Sequence, residues 1–261
     1  MDNILITGGT GALGREIIEQ LLNADRQISV ITTKDNVNLP VAVNVVKADI
    51  TDPESIQEIV DHSDIIIHCA SNPPYAQFVD LEGSRNLLSA VNKSKIKHFI
   101  YVSIAGVDNS EFSYYKIKYE VELLIGSLGI PFTILRATQF HDFVLNRMIK
   151  PYDIGTCLKV PAGLKFQSIE ISEVAQKIVD LTFTGPKNGT VIIGGPQILT
   201  IEKMGQTYLD IWSKKYKLET EIMEGERFDM LRSGINLCKE HTFGIKTWEQ
   251  FLTKLLNNDN L

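Results

Sequence analysis

ILITGGTGALGR, Ile4–Arg15, is the stretch on which the fold turns. An aliphatic run ends in a glycine cluster, and an amphipathic segment follows at once. The glycines satisfy a three-glycine spacing through Gly9, Gly11 and Gly14, and a wider one through Gly8, Gly11 and Gly14. The stretch therefore predicts a strand, a tight turn and a helix beginning near Ala12. A turn without Cβ atoms lets the backbone of Gly8, Thr10, Gly11, Ala12 and Leu13 approach an anion, and the amino end of the helix attracts one. Gly14 permits the helix to pack closely on the sheet. The anion that suits such a strand, turn and helix is the pyrophosphate of a dinucleotide.

Working outward, the same alternation recurs. ISVIT, VNVVKAD, DIIIHCA, HFIYVS and FTILRA read as strands, and REIIEQLLNA, SIQEIVD and NLLSAVNKS as the helices between them, the first with Ile17, Ile18, Leu21 and Leu22 on one face. Near-continuous apolar strands that alternate with helices imply a parallel sheet covered on both faces, so the expected fold class is α/β, a doubly wound parallel (Rossmann) sheet. After Arg136 the rhythm loosens. IKPYDIG and LKVPAGLKF carry Pro and Gly, TVIIGG reads as one more strand, and helices are expected at 172–183, 201–213 and 247–257. The chain is read as one structural unit over 1–261. Residues 1–136 form the dinucleotide-binding core, and 137–261 supply the last core strand and a smaller C-terminal substrate lobe expected to cap the ligand edge of the sheet.

Composition sets the surroundings. With 26 basic against 32 acidic residues and no long basic run, the chain lacks what a phosphate backbone requires, so nucleic acid is not an expected partner. Cys69, Cys157 and Cys238 are widely spaced and no histidines stand at ligand spacing, which predicts neither a disulfide framework nor a metal site. A reducing cytoplasm is the expected location. The start MDNILITGG leaves no room for a signal peptide, and no stretch approaches the apolar length of a membrane span. The expected partner is a small-molecule substrate, and self-association into a homo-oligomer is left open.

Strand ends locate the rest of the cofactor. An acid after the second strand reads the ribose of NAD, whereas a cation tolerates the additional phosphate of NADP. Here Thr32, Thr33 and Lys34 stand at that position and Arg15 follows the glycine turn, so NADP(H) is expected over NAD(H). Asp49 and Ile50 after the third strand are placed at the adenine, Ala70 and Ser71 after the fourth at the nicotinamide ribose, and Thr138 and Gln139 after the sixth also at the cofactor. His141 is either a second acid/base or, the preferred reading, a histidine that ties down its loop. Lys214, Lys215 and Lys217 read as a solvated face.

SYYKIKYE, Ser113–Glu120, raises a chemical question. Tyr114 and Lys118 are one helical turn apart on one face, while Tyr115 has only Tyr119 at that spacing. A phenol donates a proton efficiently once its pKa falls from about 10, and a nearby ammonium favours the phenolate. The pair opens the helix after the fifth strand, which ends in Ser103, and strand ends of this kind line the ligand crevice. Catalysis by Tyr114 and Lys118 is therefore expected.

TGGTGALGR, HFIYVSIAGVD, YYKIKYEVE, GIPFTILRATQFHDF, FQSIEISEVA and GGPQILT together resemble the short-chain dehydrogenase/reductase superfamily, and within it the atypical NmrA-like, NAD(P)H-binding branch. The resemblance implies hydride exchange with a nicotinamide on a small carbonyl or quinone-like substrate. It implies Tyr114 as general acid or base, Lys118 on the ribose hydroxyls and Ser103 on the substrate oxygen. The chain departs from many relatives in having Ile104 after Ser103 rather than a further Ser or Thr. Several members of the branch bind NADP(H) without turnover, so the alternative is a redox sensor or regulator acting through a protein partner. A nucleotide-sugar epimerase or dehydratase is disfavoured because the lobe after Arg136 is short.

Overall fold

The computed structural model describes residues 2–22, 26–238 and 240–259. Its elements run β1 (Asn3–Thr7), α1 (Ala12–Leu21), β2 (Gln27–Thr32), β3 (Val43–Lys47), α2 (Pro53–Asp61), β4 (Ile65–His68), α3 (Gly83–Ala90), β5 (His98–Ile104), α4 (Ser113–Ser127) and β6 (Phe132–Ala137). They continue with α5 (His141–Phe143), β7 (Cys157–Pro161), β8 (Lys165–Phe166), α6 (Ile171–Thr184), β9 (Gly189–Ile193), β10 (Leu199–Thr200), α7 (Ile201–Ile211), β11 (Lys217–Glu221), α8 (Glu226–Ser233) and α9 (Trp248–Asp259). A seven-stranded parallel sheet has the order β3-β2-β1-β4-β5-β6-β9, so the order reverses between β1 and β4. In open α/β sheets ligands bind outside the carboxyl ends of the strands at such a reversal. The expected doubly wound α/β fold is therefore the fold found.

The chain packs as two compact units. One comprises residues 1–103, 114–136 and 172–191; the other comprises 104–113, 137–171 and 192–261. Helix α6 and most of β9 pack with the first unit. In that unit Leu5, Ile66, Phe99 and Ile134 from the strands join Ile56, Leu87, Val121 and Ile125 from the helices in one buried cluster. Strand β4 is buried at all four residues, as a central parallel strand covered on both faces must be.

Local chemistry sets the helix ends. Asp52 accepts from the Glu54 amide at 3.2 Å and Pro53 takes the first helical position, which together start α2. Helix α3 ends at Ala90, short of the expected run to Ser94. There the Asn92 side chain accepts from the amide and hydroxyl of Ser94 at 3.1 and 2.7 Å, an Asx-type turn that competes with the helix. The expected first helix ran on to Asn23 and Ala24, which lie outside the described residues.

The second unit holds strands that the sequence reading did not include. β7 pairs with β11 in parallel, and β8 with β10 in antiparallel. β11 is KLETE, mostly exposed, and its polar composition hides it from any hydrophobic periodicity. Lys214 also departs from the expected solvated face. Asp153 accepts from Tyr216 Oη at 2.6 Å and Tyr208 Oη at 2.9 Å, and its Oδ2 lies 3.1 Å from Lys214 Nζ. The ammonium lies over both tyrosine rings, at 5.4 and 5.5 Å from their centroids. Lys215 and Lys217 are exposed as expected.

Burial alone would raise the Asp153 pKa, but the bonds from Tyr216, the Gly155 amide, Tyr208 and Lys214 outweigh it and lower the pKa to about 2. A folded pKa below the unfolded value stabilises the fold above the unfolded pKa, and that contribution is lost as pH falls toward the folded one. Asp153→Asn is therefore expected to lower the urea midpoint at neutral pH, with the difference from the unmodified protein shrinking between about pH 4 and pH 2. Paired urea titrations across that range check it.

Candidate functional site

The glycine turn is built by close backbone approach. Gly8 has φ +71°, and a Cβ there would lie 2.7 Å from the Ala70 nitrogen; one on Gly14 would lie 2.4 Å from the Gly8 carbonyl oxygen. Gly11 differs, since a Cβ on it would meet only the Gly8 oxygen, at 3.2 Å, and its extended backbone (φ −78°, ψ 171°) suits any residue. Gly11 is the N-cap of α1, with no side-chain cap and no acid in the first turn. An uncapped helix start carries partial positive charge on its amides and fits a bound pyrophosphate. Close backbone approach thus requires glycine at Gly8 and Gly14, and not at Gly11. Gly14 makes its close approach to the turn itself.

At the end of β2, Thr32 Oγ1 accepts from the Lys34 amide at 3.2 Å, and Thr33 and Lys34 are exposed. Arg15 donates to the carbonyls of Asn38 (2.6 Å) and Thr10 (3.2 Å), which draws the segment after β2 toward the glycine turn. A shallow groove of about 430 Å³ is lined by Lys34, Asp35, Asn36, Val37, Val45 and Lys47. Lys47 is a second cation beside Lys34 that the sequence reading passed over; it forms an exposed ion pair with Asp35. Asp49 accepts from both the amide and hydroxyl of Thr51, and Ile50 is buried against Gly83, so the Ile50 side chain is committed to packing.

Strands β4 and β5 are parallel neighbours with His68 opposite Tyr101, so the segments leaving them emerge side by side. Tyr114 Oη and Ser71 Oγ are 2.8 Å apart, and the Ala70 amide donates to Thr7 Oγ1 at 3.2 Å. Lys118 Nζ donates to the Val102 carbonyl at 3.0 Å and lies 4.3 Å from the centre of the Tyr101 ring. Next to Val102, the buried Ser103 Oγ has no hydrogen-bond partner among the described residues, an orphaned polar group of the kind a ligand oxygen would satisfy. Tyr115 is buried.

The electrostatics correct one expectation. Lys118 was expected to lower the Tyr114 pKa, yet the phenol is pushed up, first by burial and then by the negative charge of Asp80; the Ser71 hydrogen bond acts the other way. Burial in turn lowers the pKa of Lys118, against the attraction of Asp80 and Glu122. Asp80 lies in a π-helical turn, Gln77–Glu82, and is itself buried. Only its position as an acid inside the apolar pattern QFVDLEGSRNLL could have flagged it.

In the second unit, Thr138 Oγ1 donates to the Gln167 carbonyl at 2.5 Å and Gln139 Oε1 accepts from Asn236 Nδ2 at 3.0 Å, so both side chains serve internal bonds. His141 ties its loop down as preferred, with Nδ1 2.8 Å from Ser168 Oγ and Nε2 3.1 Å from the Lys246 carbonyl. No helix among the described residues is long and apolar enough to cross a membrane.

A family of NAD(P)H-binding proteins matches residues 8–183, more than half of the chain and all of the glycine turn, Tyr114 and Lys118. The chain belongs to the NAD(P)H-binding family. Its sequence relatives include photosystem II assembly factor Ycf39 of Trieres chinensis, 23% identical over 74% of this chain and 64% of the relative. Another is the mitochondrial NADH-ubiquinone oxidoreductase 40 kDa subunit of Neurospora crassa, 26% identical over 77% of this chain and 58% of the relative. The chain spans less than two thirds of the length of these curated relatives. Among solved structures, the NADPH-dependent quinone oxidoreductase of Escherichia coli complexed with NADPH matches with a TM-score of 0.78 at 19% identity, covering 97% of this chain and 100% of that one. A nucleoside-diphosphate-sugar epimerase of Staphylococcus aureus matches with a TM-score of 0.79 at 17% identity, covering 96% and 99%. At these identities the likeness is one of fold.

The glycines make separable predictions for this family member. Gly11→Val is expected to fold, by circular dichroism, and to lose NAD(P)H binding, because its side chain enters the approach to the α1 amides. Gly14→Val meets backbone at once and is expected to lose the fold. Fluorescence titration with NADPH and NADH beside melting curves of both variants checks the pair.

Proposed function

We propose that the chain is an NADP(H)-dependent oxidoreductase of the NmrA-like branch of the short-chain dehydrogenases/reductases, and that it reduces a small carbonyl or quinone-like compound. The observation that carries this reading is the convergence of Tyr114, Lys118 and Ser103 on the carboxyl ends of β4 and β5, with the Tyr114 hydroxyl on Ser71 and the Lys118 ammonium on Val102. In this reading the amides at Ala12 and Leu13 would hold the pyrophosphate, Lys34 would meet the extra phosphate of NADP, and Lys118 would bind the ribose hydroxyls. The bound nicotinamide supplies a hydride.

The residues supply the proton and the polarisation. Ser103 Oγ donates a hydrogen bond to the substrate oxygen and drains charge from it. Tyr114 donates its phenolic proton to the same oxygen as negative charge grows there. A phenol held above its ordinary pKa is protonated throughout the neutral range, which suits a donor in the reducing direction and not a base in the oxidising one. Ser71 orients that hydroxyl. Lys118, already desolvated, stabilises the phenolate that donation leaves behind.

A second reading is favoured by the relatives' names, one an assembly factor and the other a respiratory-complex subunit. In it the chain binds NADP(H) and acts through a protein partner without turnover. Incubation with NADPH and a panel of quinones, aldehydes and ketones separates the two: consumption of NADPH supports the reductase, and tight binding without consumption by any of them supports the regulator.

For the reductase, Tyr114→Phe is expected to cut turnover by about 10² to 10⁴ with NADPH affinity nearly unchanged, and Tyr115→Phe to leave turnover close to normal. NADPH is expected to bind more tightly than NADH, and Lys34→Asp to reverse that order, since it replaces a charge-assisted hydrogen bond with repulsion. Steady-state kinetics and calorimetry read these out. Equal turnover in Tyr114→Phe would remove the tyrosine from the mechanism.

A further inference from the structure

The ammonium of Lys118 lies in a closed setting, and the charges around it can be accounted for one by one. The titratable groups facing it are Glu122 one turn along α4, His68 and Cys69 at the end of β4, Tyr101 of β5, and Asp80 of the π-helical turn. Glu122 is committed elsewhere: its two oxygens accept from Arg136 at 2.9, 3.2 and 2.5 Å in a buried bidentate pair. His68 is neutral, since burial lowers its pKa to about 3, and it bridges Thr7 Oγ1 at 2.6 Å and Ser84 Oγ at 2.8 Å. Burial raises the Cys69 thiol to about 12 and holds the Tyr101 phenol well above its ordinary value, so neither carries charge at neutral pH. Asp80 is the remaining anion.

Its geometry is specific. Asp80 Oδ1 lies 3.8 Å from Lys118 Nζ, with side-chain exposures of 0% and 4%. Among the described residues that oxygen has no hydrogen-bond partner within bonding distance, while Oδ2 accepts from the Asn72 amide at 2.9 Å. Asn72 follows Ser71, whose hydroxyl meets Tyr114. The carboxylate therefore reaches both the turn that holds the tyrosine and the lysine one helical turn beyond it, and Ser84 Oγ bonds the Asp80 carbonyl and so anchors the π-helical turn to the His68 chain.

We propose that Asp80 is a positioning residue of this site. Its carboxylate holds the Asn72 amide and faces the Lys118 ammonium, and so fixes the Ser71–Asn72 turn with the Ser71 hydroxyl on Tyr114. The inference rests on the reading of Tyr114 and Lys118 as the reacting pair, and it adds what holds them in place. Without Asp80 one of the causes that hold the Tyr114 phenol up is lost, and the Ser71 contact loosens as the turn loses its anchor.

The test reads Tyr114 directly and needs no substrate. With tyrosines labelled at Cζ, the Tyr114 signal is assigned by its absence in Tyr114→Phe, and its titration is followed up to about pH 11. Asp80→Asn keeps an oxygen for the Asn72 amide and removes the charge. It is expected to bring the phenolate shift of Tyr114 to an earlier pH than in the unmodified protein. A Tyr114 signal that follows the same course in both folded proteins over the whole range overturns the proposal. A second measurement covers the fold. Lys118→Met strands the buried Asp80 carboxylate and is expected to lower the urea midpoint, and adding Asp80→Asn is expected to restore part of that loss. Simple addition of the two losses also overturns it. Absence of turnover on every substrate tried would sink the reductase reading and leave this titration standing. An unmoved Tyr114 with turnover intact would sink only the role of Asp80.

Discussion

Three backbone segments meet at Gly8 more closely than any side chain would allow. The end of β1 presses on Ala70 beyond β4, and the first turn of α1 presses on the Gly8 carbonyl through Gly14. A contact at this range fixes where α1 starts, which strand lies beside β1, and where the order of the sheet reverses. The register then does the rest. Thr7 stands opposite His68, and His68 opposite Tyr101, so the hydroxyl at the end of β1, the imidazole of β4 and the ring under Lys118 fall into one row. The exposed amides of α1 and the Tyr114 hydroxyl are placed by the same constraint.

On this frame the site carries an unusual load of buried charge. Arg136 with Glu122, and Lys118 with Asp80, are two ion pairs taken out of water, and such pairs are weak contributors to stability once their desolvation is counted. A fully apolar packing of the same volume would serve the core as well. What the charges give is placement, since the Asp80 carboxylate holds the Asn72 amide on one side and faces the Lys118 ammonium on the other.

The main sheet was legible because each of its strands announces itself by a short aliphatic run, and because the glycine spacing has a backbone meaning independent of side chains. Tyr114 and Lys118 were legible from a four-residue spacing at a strand end. Other features depend on partners far away in the chain. KLETE is a strand only because β7 pairs with it, and Lys214 is half-buried only because Asp153, sixty-one positions earlier, collects two tyrosines around it. Asp80 is silent in sequence for the same reason. Its weight comes from Lys118, and the sign of the Tyr114 shift follows from burial and that carboxylate together, neither of which a helical spacing reports.

In the proposed function the turn at Gly8–Gly14 and the edge formed by β4 and β5 serve one bound cofactor. A crystal structure of the protein grown with saturating NADPH tests this most directly. The predicted result is a pyrophosphate within hydrogen-bond distance of the amides at Ala12 and Leu13, with the nicotinamide ring beside Tyr114 and Ser103. NADPH bound at any other surface, or a nicotinamide directed away from Tyr114, would contradict it.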